Sequence, residues 1–102
     1  MLGLAVSQDG RGDTAEVRVR GDIDIATVPQ LGLELARVGG NRFVIVDLAA
    51  VTFLDVSAVR LLLSFAVRAR RDGFDYRIIP PPPLVSRIFD LTQTRARLNL
   101  VT

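Results

Sequence analysis

A chain of 102 residues, 49% of them hydrophobic and with a formal charge of +2, has the size of one domain and enough apolar material for a core without covalent staples. It contains no cysteine and no histidine, and its 13 basic residues are all arginine. That excludes disulfides, thiolate metal sites, cysteine nucleophiles, histidine proton shuttles, Schiff-base lysines and lysine-bearing phosphate loops.

Residues 4–8 and 15–20 flank the turn-rich Asp9-Gly10-Arg11-Gly12-Asp13 and predict a β-hairpin with an open loop. In its second arm Ala15, Val17 and Val19 alternate with Glu16, Arg18 and Arg20, the period of a strand with one wet face. Thr27-Val28-Pro29-Gln30 then carries three helix-start signals: a capping hydroxyl, a proline in the first turn, and a glutamine placed as in a capping box. Val28, Leu31, Leu35 and Val38 recur at helical spacing, and Gly39-Gly40 is the stop.

Residues 42–47 form a nearly continuous β-branched run, the pattern of a parallel strand covered on both faces. A second helix is expected from Asp55 or Val56 to about Asp72. Its apolar stripe is Val59, Leu62, Leu63, Ala66 and Val67; Arg60, Ser64, Arg68 and Arg71 lie opposite, and Gly73 ends it. Residues 76–79 read as another short strand, broken by the prolines at 80–83. These prolines fit a rigid strand-to-helix connector better than a polyproline ligand, because they lack disordered flanks. A third helix opens near Pro83 with Val85, Ile88 and Phe89 inward and Arg87, Asp90 and Gln93 outward; residues 98–101 suggest a final edge strand. The alternation is that of a single α/β domain over residues 1–102, a mixed sheet of four to five strands with helices packed against it.

The N-terminus lacks the positive and apolar regions of a signal peptide. The most apolar stretch, 56–67, is interrupted by Arg60 and falls short of the roughly 20 residues that cross a bilayer. A cytoplasmic protein with no membrane contact is expected. Arg68, Arg70 and Arg71 complement a helix C-terminus, so direct nucleic-acid binding is not expected.

Carboxylates are the remaining acid or base groups, and Asp22, Asp24, Asp47, Asp55, Asp72, Asp75 and Asp90 fall at element boundaries. Without a deep cleft or a nucleophile–base pair they do not make an enzyme, and no metal or cofactor is implied. Asp55-Val56-Ser57 stands at the start of the second helix, where a side-chain oxygen can accept from unpaired first-turn amides. A phosphoryl group held at such an electropositive end would add about −1.5 to −2 charges without refolding the domain.

Three motifs in order carry a family resemblance. They are Gly21-Asp22-Ile23-Asp24, then Val46-Asp47-Leu48-x-x-Val51-x-Phe53-Leu54-Asp55-x-Ser57, then Pro83-x-Val85-x-Arg87-x-Phe89-x-Leu91-Thr92. Over nearly the whole chain they resemble a STAS domain of the bacterial anti-sigma factor antagonists, the anti-anti-sigma proteins. The resemblance implies partner switching. The unphosphorylated antagonist binds a GHKL-type anti-sigma factor that is also a serine kinase, phosphorylation breaks the complex, and a PP2C-type phosphatase restores it. The implied contact surface is the loop of Asp22, Ile23 and Asp24 together with Asp55, Val56, Ser57, Ala58 and Arg60. Exposed apolar side chains such as Ile23, Ile25 and Val56 would support docking.

This sequence departs from the family motif, which reads Asp-Ser-Ser/Thr-Gly with the first hydroxyl as phosphoacceptor. Here Val56 occupies that position and Ala58 replaces the glycine. Ser57 is the candidate acceptor left, about 100° further round the helix. Gln93 replaces the usual glycine after Leu-Thr. The alternative function is a non-phosphorylated STAS scaffold or a nucleotide- or ligand-sensing module, for which no Gly-rich phosphate loop is present.

Overall fold

The computed structural model describes residues 4–38 and 42–101. Strands β1 (Leu4–Arg11) and β2 (Thr14–Ile23) pair antiparallel, with Arg11 opposite Thr14, so the expected five-residue loop shrinks to the turn Gly12-Asp13. Gly12 has φ +56°, the left-handed conformation that a two-residue hairpin turn needs at its first position, and pairing then carries both strands past the polar residues at the loop.

The remaining elements are α1 (Val28–Ala36), β3 (Phe43–Leu54), α2 (Val56–Asp72), β4 (Asp75–Ile79), α3 (Pro83–Leu91) and a 3-10 turn at Arg95–Arg97. The sheet runs β1-β2-β3-β4, with β3 parallel to both β2 and β4 and the helices α1 and α2 as the crossovers. This is the mixed α/β sheet that the alternation of elements predicts.

One cluster forms the core. Val17, Val19 and Ile23 of β2, Val44, Val46, Leu48, Val51 and Leu54 of β3, and Tyr76 and Ile78 of β4 meet Leu31 and Leu35 of α1, Leu62 and Phe65 of α2, and Phe89 of α3. The helices therefore cover one face of the sheet. On the other face Arg18 and Arg20 are exposed and Glu16, Phe43, Ile45 and Asp47 are only half-buried, with Arg18 paired to Glu16 and the Arg77 guanidinium 5.9 Å from the Phe43 ring. The expectation that β3 is covered on both faces is corrected here: arginines and carboxylates solvate the face that the β-branched run left ambiguous. β3 is also twice as long as the run 42–47, because two register shifts against β2 let it continue and still turn Val51 and Leu54 inward.

Thr27 holds the N-cap position of α1, as expected, but makes no side-chain cap. Asp24 builds the entry turn instead, its carboxylate accepting from the amides of Ala26 (2.9 Å) and Thr27 (3.1 Å), while the Thr27 hydroxyl donates to the Asp22 carbonyl. The expected stop at Gly39-Gly40 lies outside the described residues. Helix α2 starts and stops where expected, with Asp55 as cap and Gly73 at φ +78°. Its buried stripe is Ala58, Val59, Leu62, Phe65 and Ala69, so Val67 points outward at 65% exposure. Arg68, expected on the wet side, instead bridges to α1 by donating to the Leu35 carbonyl (2.7 Å), its guanidinium lying over Phe65 and Phe74. Helix α3 buries Phe89, half-buries Val85 and Ile88, and leaves Arg87 and Asp90 exposed, as expected; Gln93, expected on its outer face, is exposed but lies beyond the C-cap Thr92. The edge strand expected at 98–101 is a single bridge, Ile78 to Leu100, set by Ile78 N–H to Asn99 O and Val101 N–H to Ile78 O.

Candidate partner-binding site

Both crossovers of a parallel unit leave the sheet at the C-terminal ends of its strands, and here that brings the end of β2, the end of β3 and the start of α2 together. The junction is tied by main-chain and side-chain bonds: Asp55 N–H donates to Ile23 O at 3.1 Å, and the Thr52 hydroxyl donates to the Asp22 carboxylate at 2.6 Å.

Asp55 caps α2. Its Oδ1 accepts from the Ala58 amide at 3.2 Å and from the Ser57 hydroxyl. Partial burial pushes its carboxyl upward, but the Ser57 hydroxyl and the amides of Ala58, Ser57 and Ile25 outweigh this and hold it below the usual carboxylate range. The site is thus anionic at neutral pH at a helix end that favours a negative charge.

The expected contact residues separate by exposure. Val56 is 46% exposed, Ile25 is 80% exposed and Arg60 is exposed, while Asp22, Asp24, Asp55 and Ser57 are half-buried. Ile23 and Ala58 are fully buried, so neither offers a side chain to a partner; of the three apolar residues expected to be exposed, Ile25 and Val56 are and Ile23 is not. The reason is local: Ile23 ends β2 on its core face, whereas Ile25 lies in the turn beyond the sheet.

Sequence reasoning missed a neighbouring apolar surface. Phe53 is 50% exposed, and across a groove of about 480 Å³ from it stand Leu84 and Leu91 of α3, 81% and 74% exposed. The signal was present, since Leu84, Ile88 and Leu91 repeat at i, i+4 and i+7 beside the inward pair Val85 and Phe89. Among the described residues no group of His, Cys, Asp or Glu could hold a metal ion, and no helix is long and apolar enough to cross a membrane.

The sequence pattern of the STAS domain matches residues 5–101. The chain belongs to the STAS domain family. No match was found among curated proteins. Solved STAS-like structures resemble it over most of its length. An anti-sigma factor antagonist from Mycobacterium paratuberculosis superposes with a TM-score of 0.85 at 21% identity, covering 96% of this chain and 85% of that one. The antagonist SpoIIAA in its unphosphorylated form gives 0.78 at 19% identity, covering 96% and 89%. The Bacillus cell fate determinant SpoIIAA in its phosphorylated form gives 0.71 at 19% identity, covering 96% and 92%. These likenesses establish the STAS fold.

Proposed function

We propose that this STAS domain is a non-enzymatic anti-sigma factor antagonist that binds an anti-sigma factor of the GHKL serine-kinase type at the end formed by Asp22, Asp24, Ile25, Asp55, Val56 and Arg60. Its complex is insensitive to the kinase, so a PP2C-type phosphatase has no substrate at position 56. The observation that carries this reading is the exposed apolar pair of Ile25, in the turn after β2, and Val56, the first residue of α2, beside the Asp55 carboxylate that caps the helix. Two features support the insensitivity: Val56 has no hydroxyl, and the Ser57 hydroxyl is half-buried and already donates to Asp55. The fold likeness to antagonists supports the partner class.

The test is calorimetric titration against the anti-sigma factor encoded nearest in the genome, using wild type, wild type incubated with the kinase and ATP, and Val56→Asp. Wild type binds equally before and after incubation, and its intact mass does not rise by one phosphate. Val56→Asp stays folded by circular dichroism but binds more weakly by about 2–5 kcal/mol, because its carboxylate is desolvated without a partner. Equal affinity of Val56→Asp and wild type would remove the α2 start from the contact, and stoichiometric phosphorylation of Ser57 would restore the switch.

A further inference from the structure

Five of the eight exposed large hydrophobics among the described residues lie at this end: Ile25 in the turn after β2, Val56 at the α2 start, and Phe53, Leu84 and Leu91 in the groove. One wall of that groove is the end of β3, at Phe53 and Leu54; the other is α3, which presents Leu84, Ile88 and Leu91. Seven residues of α3 separate the outer two leucines, about 10 Å along the axis, or two helical turns. Arg87 is the one charged residue lining the groove and makes no ion pair among the described residues; Asp90, one turn on, feels its charge but is bonded by Arg95 at 2.7 Å.

Resting on the reading under Proposed function, we infer that the groove between the end of β3 and α3 receives a two-turn amphipathic helix of the same anti-sigma factor, with apolar side chains against Phe53, Leu84 and Leu91 and a carboxylate opposite Arg87. Three arguments select this occupant. The apolar ridge of α3 has the i, i+4, i+7 spacing into which a second helix packs. The charge of the lining is positive and single, which matches an acidic side chain and rejects a basic one. And Phe53 is three residues from Val56, so their Cα atoms are at most about 11 Å apart; a partner with an ordinary footprint of about 800 Å² that covers Val56 also reaches the groove.

The experiment titrates the same anti-sigma factor against wild type, Leu84→Glu/Leu91→Glu, Arg87→Glu and Val56→Asp, with circular dichroism confirming the fold and sedimentation reporting self-association. Both leucines are exposed, so the double variant stays folded. It loses at least about tenfold in affinity, as truncated apolar anchors do, and Arg87→Glu loses several-fold at low salt and less at high salt. Wild-type affinity in the double variant, with Val56→Asp weakened, would overturn the groove and leave the α2 contact standing. A wild-type dimer that the double variant dissolves would assign the groove to a second copy of this chain and overturn the inference. Failure of wild type to bind at all would overturn the parent reading and this one with it.

Discussion

Asp55 and Ser57 share one hydrogen bond but do different work. The Asp55 carboxylate satisfies the Ala58 amide, one of the first-turn donors that a helix leaves unpaired, whereas the Ser57 hydroxyl only buttresses that carboxylate. Asp55→Ala is therefore expected to cost about 0.5–2 kcal/mol in chemical denaturation and Ser57→Ala less, since the cap survives it. The reverse ranking would assign the helix start to Ser57. The cap was legible in the sequence because an aspartate before an apolar helical stripe has few other roles. The burial of Ile23 was not: it shares one alternation with Ile25, two residues on, and only the point at which β2 leaves the sheet decides which one the core takes.

Helix α3 ends in a Schellman motif, with Gln93 N–H donating to Asp90 O (3.1 Å) and Thr94 N–H to Phe89 O (2.9 Å). The motif places Gln93 at φ +57°, the left-handed conformation in which a side chain costs roughly 1 kcal/mol and glycine does not. Gln93→Gly, at an exposed position, should raise stability by about 0.5–1 kcal/mol in urea unfolding; a loss would mean that the Gln93 side chain contributes more than its backbone conformation costs. The limits of α2 and the start of α3 could be read from a cap, a proline and a glycine, which act locally. The face that α2 buries could not. Phe65 and Val67 both fit a helical stripe, and the choice of Phe65 follows from aromatic neighbours beyond the end of the helix, Phe74 and Tyr76, whose ring centroids each lie 5.6 Å from it. Phe74, with Phe65, also holds the Arg68 guanidinium inward. The length of β3 was hidden in another way, since its two register shifts break the period of two on which a strand is recognised.

At the scale of the molecule the absence of histidine and cysteine leaves no side chain that titrates near neutrality at its ordinary pKa. The groups that respond to acid are carboxylates held below their usual range. They include Asp55 through the balance described above, Asp72 chiefly through its hydrogen bond from Arg71, and Asp90 chiefly through its hydrogen bond from Arg95. A carboxyl depressed in the folded state stabilises it at every pH above the unfolded value and gives up that stability as pH falls through the folded one. The urea midpoint is expected to be flat between about pH 5 and 8 and to fall below about pH 4. A step near pH 6.5 would show a titrating group that this account lacks. The sheet order was legible because a hairpin followed by two strand–helix–strand units has few arrangements. The open face of the sheet was not, because β-branched residues suit a buried face and a half-solvated one alike.

The bonds from Thr52 to Asp22 and from Asp55 to Ile23 fix the end of β3 against the end of β2 before any partner arrives. A surface held in one shape by its own hydrogen bonds gives up little conformational freedom on docking. Its encounter rate is then set by diffusion and charge, and changes to its apolar contacts register in how long the complex lasts. Residence time, and not the speed of capture, is the quantity that substitutions at Phe53, Val56, Leu84 and Leu91 would tune.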